Sequence, residues 1–77
     1  MSGPRIYTPR PREDPLAERE IEAIVAVLRE HGPLGVRELR ARTEARFWGP
    51  GRFGAALARA RRTGRVRRVG VRRYAAV

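Results

Sequence analysis

The sequence predicts a small α+β domain, three helices followed by a C-terminal β-hairpin, over residues 14–77. Apolar residues recur at helical spacing in two segments, Ile21, Ile24, Val25 and Leu28, then Phe53, Ala56, Leu57 and Ala60. After Gly64 this period gives way to RVRRVGVRRYAAV, in which four valines and a tyrosine surround Gly70, the composition of paired strands. A chain of 77 residues supports one domain, and a domain of that size buries only roughly 60% of the surface its unfolded chain exposes, so the core has to be compact.

Residues 1–13 place Pro4, Pro9 and Pro11 among Arg5, Arg10 and Arg12, with Ile6 and Tyr7 between them, and are expected to be a flexible arm. Asp14 followed by Pro15 marks the start of the first helix, an N-cap residue before a proline at the first helical position. Glu18, Glu20 and Glu22 then sit near the positive end of the helix dipole. Ala17 extends the apolar stripe by a turn, and His31-Gly32-Pro33 ends the helix. Ala23, Ala26 and Val27 form a smaller apolar strip on the other side, readable as a homodimer seam or as ordinary helix surface.

A second helix is expected from Val36 to about Arg42, with Val36 and Leu39 inward and Arg37 and Arg40 outward. Its start is weakly marked, because Gly35 stands where Ser, Thr or Asp would cap better. EARFWGPG forms a turn whose Phe47 and Trp48 are expected to pack beneath the helix that follows. Gly49-Pro50 opens that third helix, which runs to Thr63, with Ala55, Ala58 and Arg62 opposite the apolar stripe, Arg52 and Arg59 on one flank and Arg61 on the other. In the hairpin, pairing Val66 with Tyr74 puts Gly70 at the apex and sets Arg68 across from Arg72 and Arg67 across from Arg73. Like charges so placed are destabilising unless an anion lies between them or water solvates them.

Charge is divided along the chain. Every acidic residue lies at or before position 44, and the first 44 residues sum to zero. Ten of the eighteen arginines follow, so residues 45–77 carry the whole formal charge of +10. That polarity points to a polyanionic partner. All the basic residues are arginine, whose planar fork suits phosphates and guanine edges, although a GC-rich genome produces the same preference.

The residue inventory argues against catalysis. One His, one Asp, no Cys, and a lone serine, Ser2, assemble no nucleophilic set and no metal site, and the scattered glycines do not form a phosphate-binding loop. His31 at a helix C-terminus is read as a dipole or carbonyl partner. No cofactor is expected. The absence of cysteine fits a reducing compartment, and no apolar run approaches the ~18 residues of a membrane span. A cytoplasmic location, on the nucleoid and away from membrane, follows as the expectation.

LREHGPLGVREL, then the aromatic turn, GRFGAALARARRTGRV and the terminal VRRY together resemble a winged helix-turn-helix domain over about residues 16–77. Leu34 falls where that family has a short edge strand. The G-R-V and R-Y around the hairpin are also similar to the wings of small excisionase-like proteins, but the first long helix and the length from Val36 to Gly64 suit the general winged helix better. Two features depart from the family pattern: a short wing, and a turn between the second and third helices longer than the tight three-residue form.

The resemblance implies that the third helix, about residues 50–63, enters the major groove of double-stranded DNA, with Ala55 and Ala58 admitting the backbone and Arg52, Arg59 and Arg62 reaching bases or phosphates. Arg65, Arg67, Arg68, Arg72 and Arg73 in the wing, residues 65–74, would lie on flanking phosphates or a minor-groove edge. Arg10, Arg12, Arg37 and Arg46 are weaker candidates. The expected role is a non-enzymatic transcriptional regulator; the alternatives are a sequence-tolerant nucleoid-associated protein and a winged helix that binds an acidic protein partner.

Overall fold

The computed structural model describes residues 15–77, so the expected arm with Arg10 and Arg12 lies outside the described residues. α1 runs Pro15–His31 and buries Ile21, Ile24, Val25 and Leu28, the stripe read from the sequence. Proline is tolerated at its first position because the N–H there has no helical partner. The helix stops where Gly32 takes φ +82 and donates its N–H to the Leu28 carbonyl at 2.9 Å.

β1, Leu34–Gly35, leads directly into α2, Val36–Arg42. Gly35 offers α2 no side-chain cap; the N–H of Val36 donates instead to the Arg72 carbonyl at 3.1 Å, so the hairpin supplies what the local sequence lacks. At the other end Thr43 Oγ1 donates to the Leu39 carbonyl at 2.9 Å. A short 3-10 helix, Ala45–Phe47, follows, entered through Glu44 at φ 58.

α3 spans Arg52–Arg62 and starts later than the sequence predicts. Gly49 at φ +102 and Gly51 at φ +76 both take left-handed conformations, which leaves Pro50 in the turn rather than in the first helical position. Its C-terminus closes with two bonds, Gly64 N–H to the Arg61 carbonyl at 3.1 Å and Arg65 N–H to the Ala60 carbonyl at 2.9 Å, a Schellman pattern around Gly64 at φ +79.

β2, Val66–Gly70, and β3, Arg73–Ala76, complete an antiparallel sheet of order β1-β3-β2. The register corrects the expected pairing. Val66 lies opposite Ala76, Arg67 opposite Ala75, Arg68 opposite Tyr74 and Gly70 opposite Arg73, with an irregularity between Arg68 and Gly70. Val71 and Arg72 therefore make the turn, and no arginine faces another across the ladder. β3 is also committed on its other side, with Leu34 opposite Tyr74 and Gly35 opposite Arg73, and this pairing fixes its position.

The core lies between α1, α3 and the sheet, closed at one end by Leu39 of α2, which like Ile24 and Ala60 is 0% exposed. Two further expectations are corrected here. Phe47 is 71% exposed, with the Arg46 guanidinium 4.6 Å from its ring centroid, because the 3-10 turn rotates Ala45 inward in its place; Trp48 packs half-buried against the core, 6.1 Å from Phe53. Val27 packs against the protein's own core, which leaves Ala26 as the exposed member of the proposed seam and Ala23 half-buried. The strip on α1 is not a continuous exposed face.

Candidate nucleic-acid interface

With Phe53, Ala56, Leu57 and Ala60 buried, a rotation of 100° per residue brings Ala55, Ala58 and Arg62 to the outward side of α3, and all three are exposed. Arg59 is exposed on the flank toward α1. The small alanines leave the backbone of this face open to close approach, while Arg59 and Arg62 extend beyond it.

Arg52 departs from the expected set. Its Nε donates to Glu20 Oε2 at 2.8 Å, and Glu20 is 4% exposed, so the side chain is drawn against α1 instead of standing on the outward face. Arg65 is likewise engaged, its guanidinium 2.7 Å from Glu18 Oε2. The two ion pairs tie the first residue of α3, and the segment between its end and β2, to the same helix. Sequence reasoning placed Glu20 only near the positive end of the helix dipole and gave it no partner. A signal was present: Glu20 follows Ala17 by three and precedes Ile24 by four, which puts it on the margin of the core stripe.

The remaining hairpin arginines, Arg67, Arg68, Arg72 and Arg73, are exposed. Arg68 Nε donates to the Gly70 carbonyl at 3.2 Å, and an Arg73 terminal nitrogen donates to the Pro33 carbonyl at 3.3 Å, contacts that hold both side chains close to the sheet. A groove between α3 and β2 is lined by Ala58, Arg61, Arg62, Val66, Arg67 and Arg68. Arg61, expected only on the other flank of the helix and without a role, stands over the Tyr74 ring with its guanidinium carbon 5.5 Å from the centroid.

A second groove lies at the other edge of the sheet, between the start of α2 and the hairpin turn, and brings Arg37 and Arg40 together with Arg72 and Arg73. Arg40 also covers Phe53 at 5.8 Å, and Arg46 joins Arg37 and Arg40 along a neighbouring depression. The weaker candidates Arg37 and Arg46 thus belong to this edge and not to the outward side of α3.

Among the described residues, Arg59, Arg61, Arg62, Arg67, Arg68, Arg72 and Arg73 make no ion pair with a carboxylate. Such guanidinium groups can donate to phosphate oxygens in pairs of parallel bonds. Among the described residues no three of His, Cys, Asp and Glu gather into a metal-holding group, and no helix is long and apolar enough to cross a membrane. Compared with the models of known protein families, with curated proteins and with solved structures, the chain matches none.

Proposed function

We propose that residues 15–77 form a winged helix-turn-helix module that binds double-stranded DNA without catalysing a reaction, with α3 in the major groove and the hairpin on the flanking backbone, and that its role is regulation of transcription. The order helix, strand, helix, helix, hairpin, with β3 between β1 and β2, supports the fold reading. The observation that carries the function is the group of seven arginines on α3 and the hairpin that meets no carboxylate among the described residues. In Arg52 and Arg65 the reading finds structural supports for α3 more than DNA contacts.

Binding of this kind is strongly electrostatic. If about six phosphates are neutralised, the log–log dependence of affinity on salt has a slope of roughly −5, and a slope shallower than about −2 removes the mechanism. Selection of bound duplexes from a random pool at near-physiological salt tests the role: an enriched motif identifies a regulator, and a palindrome with half-sites about one helical turn apart adds a dimer.

A second reading, a sequence-tolerant nucleoid-associated protein, is favoured by one observation: the chain contains no Asn and no Gln, the side chains that read adenine edges. Retention of duplex without a motif supports it. A winged helix that uses the same arginines to bind an acidic protein is distinguished by a complex that survives nuclease treatment.

A further inference from the structure

Among the described residues, Val71 is the most exposed large apolar side chain, at 79%, and it sits at the hairpin turn between Gly70 and Arg72. Tight turns favour Gly, Asn and Asp, and neither Val71 nor Arg72 is one of these. Arg72 moreover holds φ +57, a left-handed conformation in which glycine or asparagine would be relaxed. The turn thus keeps an apolar side chain in water and a guanidinium in a strained backbone position, two costs that a turn serving only to reverse the chain would not carry.

The turn is also braced. The Arg72 carbonyl accepts the Val36 N–H at 3.1 Å, and Gly70 and Gly35 both lie opposite Arg73, so the tip stands against the start of α2 and the edge of the sheet. Arg37, Arg40 and Arg73 share the adjoining groove with Val71 and Arg72. An apolar projection on a rigid base, ringed by cations, fits an anionic surface that has an apolar interior reachable through a narrow opening. The minor groove of a DNA duplex is such a surface, with phosphates along both rims and stacked bases between them.

We propose that Val71 is a wedge that enters the minor groove and partly unstacks one base step, with Arg72 and Arg73 on the phosphates beside it, so that the bound duplex is bent. This inference rests on the DNA-binding reading and adds to it a place and a mode of deformation. A wedge of this type kinks DNA by roughly 20–90° toward the major groove.

The test uses the full chain and a duplex of about 25 base pairs, carrying a donor and an acceptor fluorophore at its two ends, at saturating protein. Wild-type protein is expected to raise energy transfer between the ends, and Val71→Ser to return it to the value of free duplex at equal saturation. A second measurement on wild-type protein needs no variant: 2-aminopurine placed within the duplex brightens when its neighbour is unstacked, and brightening is expected. A saturated duplex with unchanged transfer and no brightening overturns the wedge while leaving DNA binding standing. Undiminished transfer with Val71→Ser also overturns it. Failure of wild-type protein to bind the duplex at all overturns both this inference and the reading beneath it.

Discussion

Arg52, the first residue of α3, donates from Nε to Oε2 of Glu20, a residue of α1 that is only 4% exposed. A buried carboxylate is costly unless paired, and the bond from Arg52 is what offsets that cost at Glu20. Complete burial of such a pair makes its rupture cost about 3–5 kcal/mol, but the Arg52 side chain is 35% exposed and water can partly restore its solvation. Glu20→Ala is therefore expected to destabilise by about 2 kcal/mol, a fall in melting temperature of roughly 8–16 °C. Glu18→Ala breaks a pair exposed on both sides and should cost less than about 1 kcal/mol in the same melt.

The same bond separates two arginines of α3 by what they lose. Arg62→Ala removes an exposed guanidinium from the outward face and is expected to make the salt slope of duplex binding shallower by about 1 with the melt unchanged. Arg52→Ala is expected to lower the melt and leave the slope near its wild-type value. Titrations of both variants across salt, beside thermal melts, check the division; equal loss of slope would place Arg52 among the DNA contacts.

At the hairpin turn, stability and binding should move in opposite directions. Left-handed backbone costs a residue with a side chain roughly 1–2 kcal/mol, against about 0.5–1 kcal/mol of additional unfolded-state entropy for glycine. Arg72→Gly is thus expected to stabilise the fold by up to about 1 kcal/mol while weakening duplex binding. Urea denaturation and binding measured on one preparation test this; a variant that gains stability and keeps full affinity would leave the strain at Arg72 without a function.

Leu39 and Phe47 provide the contrast in packing. Leu39 is 0% exposed, so Leu39→Ala should cost about 2–5 kcal/mol, comparable to the total stability of a small domain. Phe47→Ala should change stability by no more than about 0.5 kcal/mol, since the ring is 71% exposed. Denaturant midpoints of the two variants give the comparison, and a large cost at Phe47 would contradict the turn geometry.

Local signals were readable and distant ones were not. The α1 stripe and the bounds of α2 follow from residues a turn or two apart, and the structure has them where the sequence predicts. The hairpin keeps Val66 and Tyr74 buried although they lie opposite Ala76 and Arg68, because a slip of two residues preserves which face each side chain takes. The hairpin itself was legible and its register was not, since register is decided by Leu34 and Gly35 pairing with β3 from far along the chain. The late start of α3 has a different cause: two left-handed glycines override the preference of proline for a first helical position. For the site, the unpaired arginines of α3 and the hairpin were visible as a block without acids, whereas Glu20 and Glu18 reached Arg52 and Arg65 only through tertiary packing.

The strand made last in the described chain lies in the middle of the sheet. During synthesis β1 and β2 emerge with no strand to pair with, and α2 begins without the carbonyl that receives its first N–H. All three deficits are removed by residues 72–76 together. A nascent chain should therefore hold its helices loosely and acquire its sheet in one step, once that segment is free to pair, and a break in translation just before it should yield a product with no sheet.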